Sequence, residues 1–241
     1  MSDMHSSGAR ARILARLRQG GIAPNPAPDP RASGNISAEA DAAWLALQPE
    51  IPDLAARFIQ EQEAVGARVR RVPDWAAVPG EVPAWLGSEG LGREGICRVV
   101  LGTEPRLTPL AEALRADGRF AVHAYDAPIE QAGDAVFGAD CGITTALGGI
   151  AETGSLIVQP SPAEPRLLSL APETHLAIVE AAALHPTLSA FVAGGAYQGA
   201  DHIDPPTNLV LITGASRTGD IELMLTMGVH GPRTMLTLLV G

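Results

Sequence analysis

Residues 97–125 read CRVVLGTEPRLTPLAEALRADGRFAVHAY, a strand, a helix and a second strand in close succession. The apolar runs Cys97–Leu101 and Arg119–Tyr125 predict the strands, and leucines at helical spacing predict the helix between them. Strands joined through a helix lie parallel in one sheet, with a right-handed crossover. This stretch therefore predicts an α/β fold.

Apolar runs of the same kind continue the alternation of strands and helices along the chain. The clearest is Asn208–Thr213, NLVLIT, which is predicted to be a buried central strand. A helical pattern begins at Ser37, and another helix is predicted over Pro186–Val192. The other predicted strands are Ala67–Val72, Ala135–Cys141, Ser155–Gln159, His175–Val179 and Thr234–Val240. The expected fold class is α/β, with three layers, a mostly parallel sheet and helices on both faces, in a single domain over residues 37–241.

A separate segment over residues 1–36 is predicted to precede this domain. Ser7–Gln19 mixes Arg with Ile and Leu and predicts an amphipathic helix that ends at Gly20-Gly21. Ala23–Gly34 contains four prolines, which is typical of an extended linker. We interpret the segment as an N-terminal helical arm with a Pro-rich linker; a transit peptide is the alternative.

Composition limits the partners that this chain can have. Hydrophobic residues make up 46% and aromatic residues only 4%, which favours a core of Ala, Val, Leu and Ile between parallel strands and helices. The net charge of −10 argues against nucleic acid, because phosphate backbones require a basic face. No apolar run reaches the ~20 residues that span a bilayer. We therefore expect a cytoplasmic protein that binds neither nucleic acid nor a membrane.

Two residue types exclude whole classes of chemistry. All 17 basic side chains are Arg, so the chain has no lysine for a Schiff base or a Walker-type phosphate site. Cys97 and Cys141 are its only cysteines, whereas iron–sulfur clusters and Cys-based zinc sites need closely spaced thiolates. We predict two free buried thiols, no metal site and no cofactor bound by this chain.

The first candidate site is a glycine-rich stretch, DCGITTALGGIAETGS over residues 140–155. Its glycines predict a close approach of the backbone to another strand or to a ligand. Glu152 stands beside the hydroxyls of Thr153 and Ser155. Such a carboxylate can be a general base, a nucleophile or an acceptor for a ligand hydroxyl. The alternative is a turn in which Glu152 caps backbone amides.

The second candidate site is GASRTGDIE over residues 214–222, directly after NLVLIT. A strand, a turn of small residues and then a helix would aim backbone N–H groups at an anion. Ser216 and Thr218 can cap such a helix, and Arg217 can clamp a carboxylate or phosphate. The alternative is an ordinary helix cap with an exposed Arg.

The third candidate site is GVHGP over residues 228–232, a short loop before the last predicted strand. His230 lies near two glycines in this loop and can act as an acid, a base or a ligand contact. The alternative is a histidine that hydrogen-bonds the loop backbone.

Two stretches of sequence that together span these three motifs carry a resemblance to a known family. GITTALGGIAETGSLIV followed by SRTGDIELMLTMGVHGP resembles the lactate-utilisation protein C family, also called the LUD domain or DUF162, from about Leu54 to Gly241. The resemblance implies the fold of ribose-5-phosphate isomerase, glucosamine-6-phosphate deaminase and CoA transferases. It also implies a place in a three-component system that oxidises L-lactate to pyruvate, in which the two partner proteins carry iron–sulfur clusters. The isomerases of this fold rely on a lysine that the present chain lacks.

The three motifs are predicted to form one small-molecule site at the carboxyl edge of the sheet. Glu152 or His230 would be the catalytic residue that takes a hydroxyl proton, and Arg217 would hold a small anionic ligand. The predicted ligand-binding residues are Gly142, Thr144, Thr153, Gly154, Ser216, Arg217, Thr218 and Asp220.

Three functions fit these residues. The first is a component of L-lactate oxidation, part of an oxidoreductase complex with iron–sulfur subunits. The second is a non-catalytic assembly or regulatory subunit that only binds the ligand. The third is an acyl or CoA transferase that uses Glu152 as its nucleophile, by analogy with enzymes of the same fold. A homodimer is compatible with all three, and only the first and third make the chain part of an enzyme.

Overall fold

The computed structural model describes residues 50–92, 95–126, 129–194, 208–219, 225–227 and 231–241, without the side chains of 129–131, 217–219 and 225–227. The predicted arm and linker of residues 1–36 and the helical pattern that begins at Ser37 lie outside these ranges. No helix in the described ranges is both long enough and apolar enough to cross a bilayer.

Helices and strands alternate through the described part of the chain. The helices are α1 (Leu54–Ala64), α2 (Val78–Ser88), α3 (Thr108–Ala116), α4 (Ile129–Phe137) and α5 (Leu188–Ala193). The strands are β1 (Arg68–Val72), β2 (Cys97–Leu101), β3 (Phe120–Ala124), β4 (Cys141–Thr145), β5 (Gly148–Ile150), β6 (Ser155–Val158), β7 (Thr174–Glu180), β8 (Leu184–His185), β9 (Val210–Ile212), β10 (Arg217–Gly219), β11 (Leu225–Met227) and β12 (Thr234–Val240).

A six-stranded sheet in the order β1-β12-β7-β4-β2-β3 forms the centre of the domain. All of its neighbouring strands are parallel. Cys97–Leu101 is a largely buried strand within it, and Thr234–Val240 pairs with β7 along its whole length. The prediction of an α/β fold with a mostly parallel sheet is confirmed.

The central sheet is covered on both faces, because alternate residues of each strand point to opposite layers. In β12, Leu236, Leu238 and Val240 pack with α2 and α3 on one face. Met235 and Leu239 pack with α1 on the other face. The predicted three-layer arrangement is therefore present, and it follows from strands that are apolar on both sides.

α4 occupies a segment that was expected to be a strand. The prediction of a strand over Ala135–Cys141 is wrong, since the helix runs to Phe137 and β4 starts only at Cys141. Ala132 and Val136 pack against Val100 of the central sheet. Apolar residues four positions apart lie on one face of a helix, and that periodicity outweighs the short apolar run at the helix end.

A second sheet, in the order β8-β5-β6-β9, lies on the same face as α1. β6 is antiparallel to both β5 and β9, while β5 and β8 are parallel. Leu156, Val158 and Leu184 of this sheet share an apolar cluster with Phe58 of α1. The second covering layer is thus part helix and part sheet.

Two predicted buried strands belong to this small sheet and not to the parallel one. Ser155–Gln159 forms β6, which is buried but antiparallel to its neighbours. Asn208–Thr213 contributes only Val210–Ile212, the edge strand β9. Leu211 is 46% exposed, so the expectation of a buried central strand is wrong here. A short apolar run does not specify which neighbour it pairs with, or whether it pairs on both sides.

The two cysteines are free and buried, as predicted. Burial raises the pKa of the Cys97 thiol to about 12 and also raises the pKa of the Cys141 thiol. Both side chains belong to the apolar cluster under α2 and α3. They therefore behave as small apolar core residues and not as reactive thiols.

Candidate functional site

Glu152 lies in the turn between β5 and β6 of the small sheet. Its backbone N–H donates to the carbonyl of Pro186 at 3.0 Å, which ties the turn to the segment before α5. The Glu152 side chain is exposed, and its carboxylate makes no hydrogen bond or ion pair that the described residues account for. Within the described residues, the Glu152 side chain therefore does not accept hydrogen bonds from the backbone amides of the turn. The exposed carboxylate faces solvent.

The glycines around Glu152 allow protein segments to pack closely. Gly154 has a φ of +65°, and a Cβ placed there would lie 2.6 Å from the backbone nitrogen of Gln62 in α1. A Cβ at Gly149 would lie 2.7 Å from the ring of Phe58. The sequence predicts a close approach to another strand or to a ligand, and the element that approaches both glycines is the helix α1.

A chain of hydroxyls joins the first motif to the end of β9. The Thr153 and Ser155 hydroxyl oxygens are 2.7 Å apart, and the Ser155 and Thr213 hydroxyl oxygens are 2.6 Å apart. Ser155 is 6% exposed, so its hydroxyl needs these partners. Thr213 directly precedes the second motif, so the first motif lies beside the start of the second, although Ser155 and Thr213 are 58 residues apart.

The second motif does not open a helix. Arg217–Gly219 is the strand β10, which pairs with β11 in an antiparallel hairpin. The expected anion site at a helix N-terminus is therefore wrong, because a strand offers no row of free N–H groups at its start. Ser and Thr residues that favour helix caps also favour turns, and Thr favours strands as well. Here Ser216 precedes β10 and Thr218 lies within it.

Ser216 connects the second motif to the third. Its backbone N–H donates to the Pro232 carbonyl at 2.8 Å. The backbone N–H groups of Arg233 and Thr234, at the start of β12, donate to the carbonyl of Glu173, which directly precedes β7. Ser216 thus lies at the amino edge of the parallel sheet, and the expected carboxyl-edge position is wrong for this residue.

Four of the predicted site residues cannot be placed as side chains. Asp220 and His230 lie outside the described residues, and for Arg217 and Thr218 only the backbone of β10 is described. The convergence of Glu152, Arg217 and His230 on one pocket therefore stays a prediction.

Gly142 and Thr144 are interior residues of β4. A side chain at Gly142 would collide with the carbonyl of Leu168, in the short 3-10 helix Arg166–Ser169 that covers the strand. The Thr144 hydroxyl and His175 Nε2 are 2.9 Å apart in a buried hydrogen bond. Burial lowers the pKa of His175 to about 4, so this imidazole is neutral near pH 7. Gly142 and Thr144 are both buried, and their part in ligand binding stays a prediction.

The carboxyl edge of the parallel sheet carries a different set of polar residues. β2 and β4 are neighbours, but the chain continues from β2 to β3 on one side and from β4 towards β7 on the other. In open α/β sheets the crevice at such a reversal is where ligands bind. Here the direction of the chain connections reverses between β2 and β4, so the crevice lies between Leu101 and Thr145, the last residues of these two strands.

Glu164 occupies this crevice. Its carboxylate accepts hydrogen bonds from the backbone N–H of Thr145 at 2.8 Å and from the Thr145 hydroxyl at 2.5 Å. Burial raises the pKa of the Glu164 carboxyl, while the hydrogen bonds from Thr145 oppose that shift. Glu104 and Arg106, which follow β2, also act on it electrostatically. A buried carboxylate in a crevice is a candidate for proton transfer or ligand contact.

A cleft of about 230 Å³ opens beside this crevice, along the ends of β4 and β7. The Arg106 guanidinium donates to Glu180 Oε1 at 2.5 Å, and the Trp75 indole N–H donates to the same oxygen at 3.0 Å. The guanidinium carbon lies 5.0 Å from the centre of the Trp75 ring. Ala146 and Ile178 line the apolar side of the cleft.

The first motif predicted from the sequence includes Ala146 and Leu147 of this cleft, but none of the three motifs includes Trp75, Arg106 or Glu180. The sequence nevertheless indicates these three residues, because Trp75, Arg106 and Glu180 each come within a few residues of the end of a predicted strand. Ligands bind beyond the carboxyl ends of strands in open α/β sheets. Charged residues after Ala67–Val72, Cys97–Leu101 and His175–Val179 meet this criterion as well as the later glycine-rich motifs do.

Gly102 makes room for Glu164, and replacing it tests this packing. A Cβ at Gly102 would lie 2.7 Å from the Ala163 carbonyl and would also contact the Glu164 side chain. We expect Gly102→Ala to lower the free energy of unfolding by about 1–3 kcal/mol, as overpacking does. Urea denaturation followed by circular dichroism measures the change.

Gly80→Ala is the matched control for this substitution. Gly80 lies in α2 and has nothing near the site of an added Cβ. The same change should there be neutral or stabilise by up to about 1 kcal/mol, because alanine favours the helix. Equal effects at both positions would contradict the close packing at Gly102.

Comparison with known proteins identifies what this chain is similar to. A family model described as the LUD domain matches residues 55–240. An uncharacterized protein of Neisseria meningitidis serogroup B is 30% identical over 207 residues, which are 81% of this chain and 88% of that protein.

Proteins named lactate utilization protein C match over a shorter stretch. The protein from Exiguobacterium sp. is 35% identical over 94 residues, or 39% of this chain and 41% of that protein. The protein from Bacillus subtilis is 33% identical over 103 residues, or 43% of each chain. These matches thus span about two fifths of the length of the lactate utilization proteins.

A solved structure supports the fold. The crystal structure of a DUF162 family protein from Deinococcus radiodurans aligns with a TM-score of 0.59, over 80% of this chain and 100% of that chain. The sequences are 24% identical, so this likeness bears on the fold alone.

Proposed function

The chain belongs to the LUD domain family, and we propose that it takes part in the utilisation of L-lactate. The observation that carries the proposal is its similarity to proteins named lactate utilization protein C. The domain match over residues 55–240 covers nearly all of the described chain. We propose that the protein is a component of L-lactate oxidation to pyruvate.

In this proposal the chain works with iron–sulfur partner proteins that accept the electrons. Oxidation of L-lactate to pyruvate removes two protons, one from the hydroxyl and one from Cα, and two electrons, which must pass to a redox centre. The chain has only two cysteines, fewer than the four that clusters of the usual kind require. Our proposal therefore assigns electron transfer to the partners, and assigns binding and orientation of the small anionic substrate to this chain.

The proposed substrate site consists of the three glycine-rich motifs. Exposed Glu152 is the proposed base for the hydroxyl proton, with His230 as the other candidate. Arg217 is the proposed clamp for the carboxylate, since a guanidinium can bind one with two hydrogen bonds. The contact of Ser155 with Thr213, which directly precedes the second motif, and the contact of Ser216 with Pro232 support the proposal because they bring the motifs near one another.

Growth on L-lactate after deletion of the gene tests the proposal. We expect the deletion strain to grow on other carbon sources but not on L-lactate, and the wild-type gene to restore growth. Glu152→Gln should lower lactate oxidation at least about a hundredfold if Glu152 is the base, because general acid–base catalysis typically contributes that much or more. Glu63→Gln, at an exposed position of α1, is the matched control and should restore growth fully.

The outcomes separate the proposed function from the alternatives. Growth of the deletion strain on L-lactate at the parental rate would show that the proposal is wrong. Loss of growth with full rescue by both Glu152→Gln and Arg217→Ala would favour an assembly or regulatory subunit. Binding of acyl-CoA by the purified chain, lost in Glu152→Gln, would favour the transferase alternative.

A further inference from the structure

Two hydrogen-bond donors at the carboxyl edge converge on a single carboxylate oxygen. The Arg106 guanidinium and the Trp75 indole N–H both donate to Glu180 Oε1, at 2.5 and 3.0 Å. The three residues follow or end three different strands, so the fold brings them together. A cation and a neutral donor aimed at one oxygen form an arrangement that recognises carboxylates.

The carboxylate that now occupies this position can be exchanged. The Glu180 side chain is 40% exposed and the Arg106 side chain is 48% exposed. An ion pair with this much solvent contact contributes little stability, so breaking it costs little. Trp75 would still hold the guanidinium in place through its ring, 5.0 Å from the guanidinium carbon.

The adjoining cleft has the size and lining for a small molecule. It measures about 230 Å³ and has apolar contacts from Ala146 and Ile178 beside the two donors. It also lies at the carboxyl ends of parallel strands, where α/β sheets bind ligands. A short-chain acid could place its carboxylate on the donors and its alkyl group on the apolar side.

We propose that Arg106 and the Trp75 indole N–H bind the carboxylate of a small monocarboxylic acid, and that Glu180 is an internal competitor for the same donors. The choice of L-lactate as the probe rests on the proposed function. The site shares Ala146 with the first glycine-rich motif, but its two donors belong to none of the three motifs, and Ser216 of the second motif lies at the opposite edge of the sheet. Glu104 also pairs with Arg106, at 3.3 Å, so binding should be weak and in the millimolar range.

The indole N–H of Trp75 provides a direct signal for this contact. The chain has 3 tryptophans, and each gives one indole cross-peak in a 15N–1H correlation spectrum. Trp75→Phe identifies the Trp75 peak by removing it. Titration of the wild-type protein with L-lactate should shift that peak saturably, while L-lactamide, which lacks the carboxylate, should leave it in place. An unmoved Trp75 peak, or equal shifts with both compounds, would overturn the proposal.

Variants of the two charged residues should have opposite effects on L-lactate binding. Arg106→Ala should weaken binding at least about tenfold, because it removes a charge-assisted hydrogen bond. Glu180→Ala should tighten binding several-fold, because it frees both donors. Weaker binding in Glu180→Ala would contradict the role of Glu180 as a competitor.

Arg70→Ala is the matched control for these variants. Arg70 stacks on Trp85 at 4.8 Å and pairs with Glu81 at 2.6 Å, but the Trp85 indole donates to a different carboxylate, Glu89. Its removal should leave the titration unchanged, and a loss of binding as large as in Arg106→Ala would overturn the assignment.

The binding titration and the growth experiment fail independently of each other. Loss of growth on L-lactate after gene deletion, combined with an unmoved Trp75 peak, would keep the proposed function and reject this site. A saturable shift of the Trp75 peak in a protein that is dispensable for growth on L-lactate would keep the site and reject the proposed function.

Discussion

Replacing Gln62 by leucine should lower the free energy of unfolding by about 2–5 kcal/mol, because it leaves two buried polar groups without partners. Gln62 is fully buried in α1. Its amide N–H donates to the Gly154 carbonyl at 2.6 Å, and its amide oxygen accepts from the Thr237 hydroxyl at 2.7 Å. Leucine has a similar volume, so the loss would come from the hydrogen bonds and not from a cavity. Urea denaturation followed by circular dichroism measures it.

Gln60→Leu is the control for this prediction. Gln60 is an exposed residue of the same helix, so the same change there should alter stability by less than about 0.5 kcal/mol. A second variant, Thr237→Val, removes only one of the two bonds and should destabilise less than Gln62→Leu. Similar stabilities for Gln62→Leu and Gln60→Leu would show that Gln62 does not join α1 to the β5–β6 turn and to β12.

Acidification should destabilise the protein through His175. Burial lowers the pKa of this imidazole from 6.5 to about 4, so between these pH values the unfolded chain binds a proton that the folded chain does not. Stability is therefore full above pH 6.5 and falls as the pH drops towards 4. The loss from this residue amounts to about 3 kcal/mol, at roughly 1.4 kcal/mol for each pH unit.

Unfolding free energies of wild-type protein and His175→Gln across this pH range measure the effect. The glutamine variant has no imidazole to protonate, so the stability difference between the two proteins should change by about 3 kcal/mol from pH 6.5 to pH 4. Thr144→Val removes the hydrogen-bond partner but keeps His175 buried, and it should retain the wild-type pH dependence. A constant difference between wild type and His175→Gln would contradict the role of burial.

Much of the fold is predictable because it depends on local patterns. The alternation of apolar runs and helical spacing identifies β2, α3 and β3 within a few residues. Thr234–Val240 is an apolar run that forms a strand at the predicted bounds. The strands among these elements have both faces covered by neighbouring layers, so a continuous apolar run is enough to indicate a buried strand.

The candidate sites were predictable only in part, because a motif does not state what its residues approach. The glycines near Glu152 suggested close contact, and the contacts are with α1 and Phe58. The Ser and Thr residues around Arg217 suggested a helix, and the chain forms a hairpin. In each case the residue types specify a turn or a close approach, and several structures meet that requirement.

The α/β class, the parallel central sheet and the free thiols are predictable from local sequence, because periodicity, apolar runs and cysteine spacing act over short stretches of chain. Which sheet each strand joins depends instead on pairing between distant segments. The strand β9 has an apolar sequence, yet it lies at the edge of the small sheet. Its partner β6 lies more than fifty residues earlier in the chain, so the local sequence does not specify this pairing.

The tertiary structure also decided which polar side chains meet. Trp75 and Glu180 are 105 residues apart, and Arg106 and Glu180 are 74 residues apart. They come together because parallel strands end at the same edge of a sheet, and the strand order places β1 and β7 on either side of β12. Strand order depends on pairing between distant segments, which local sequence does not encode.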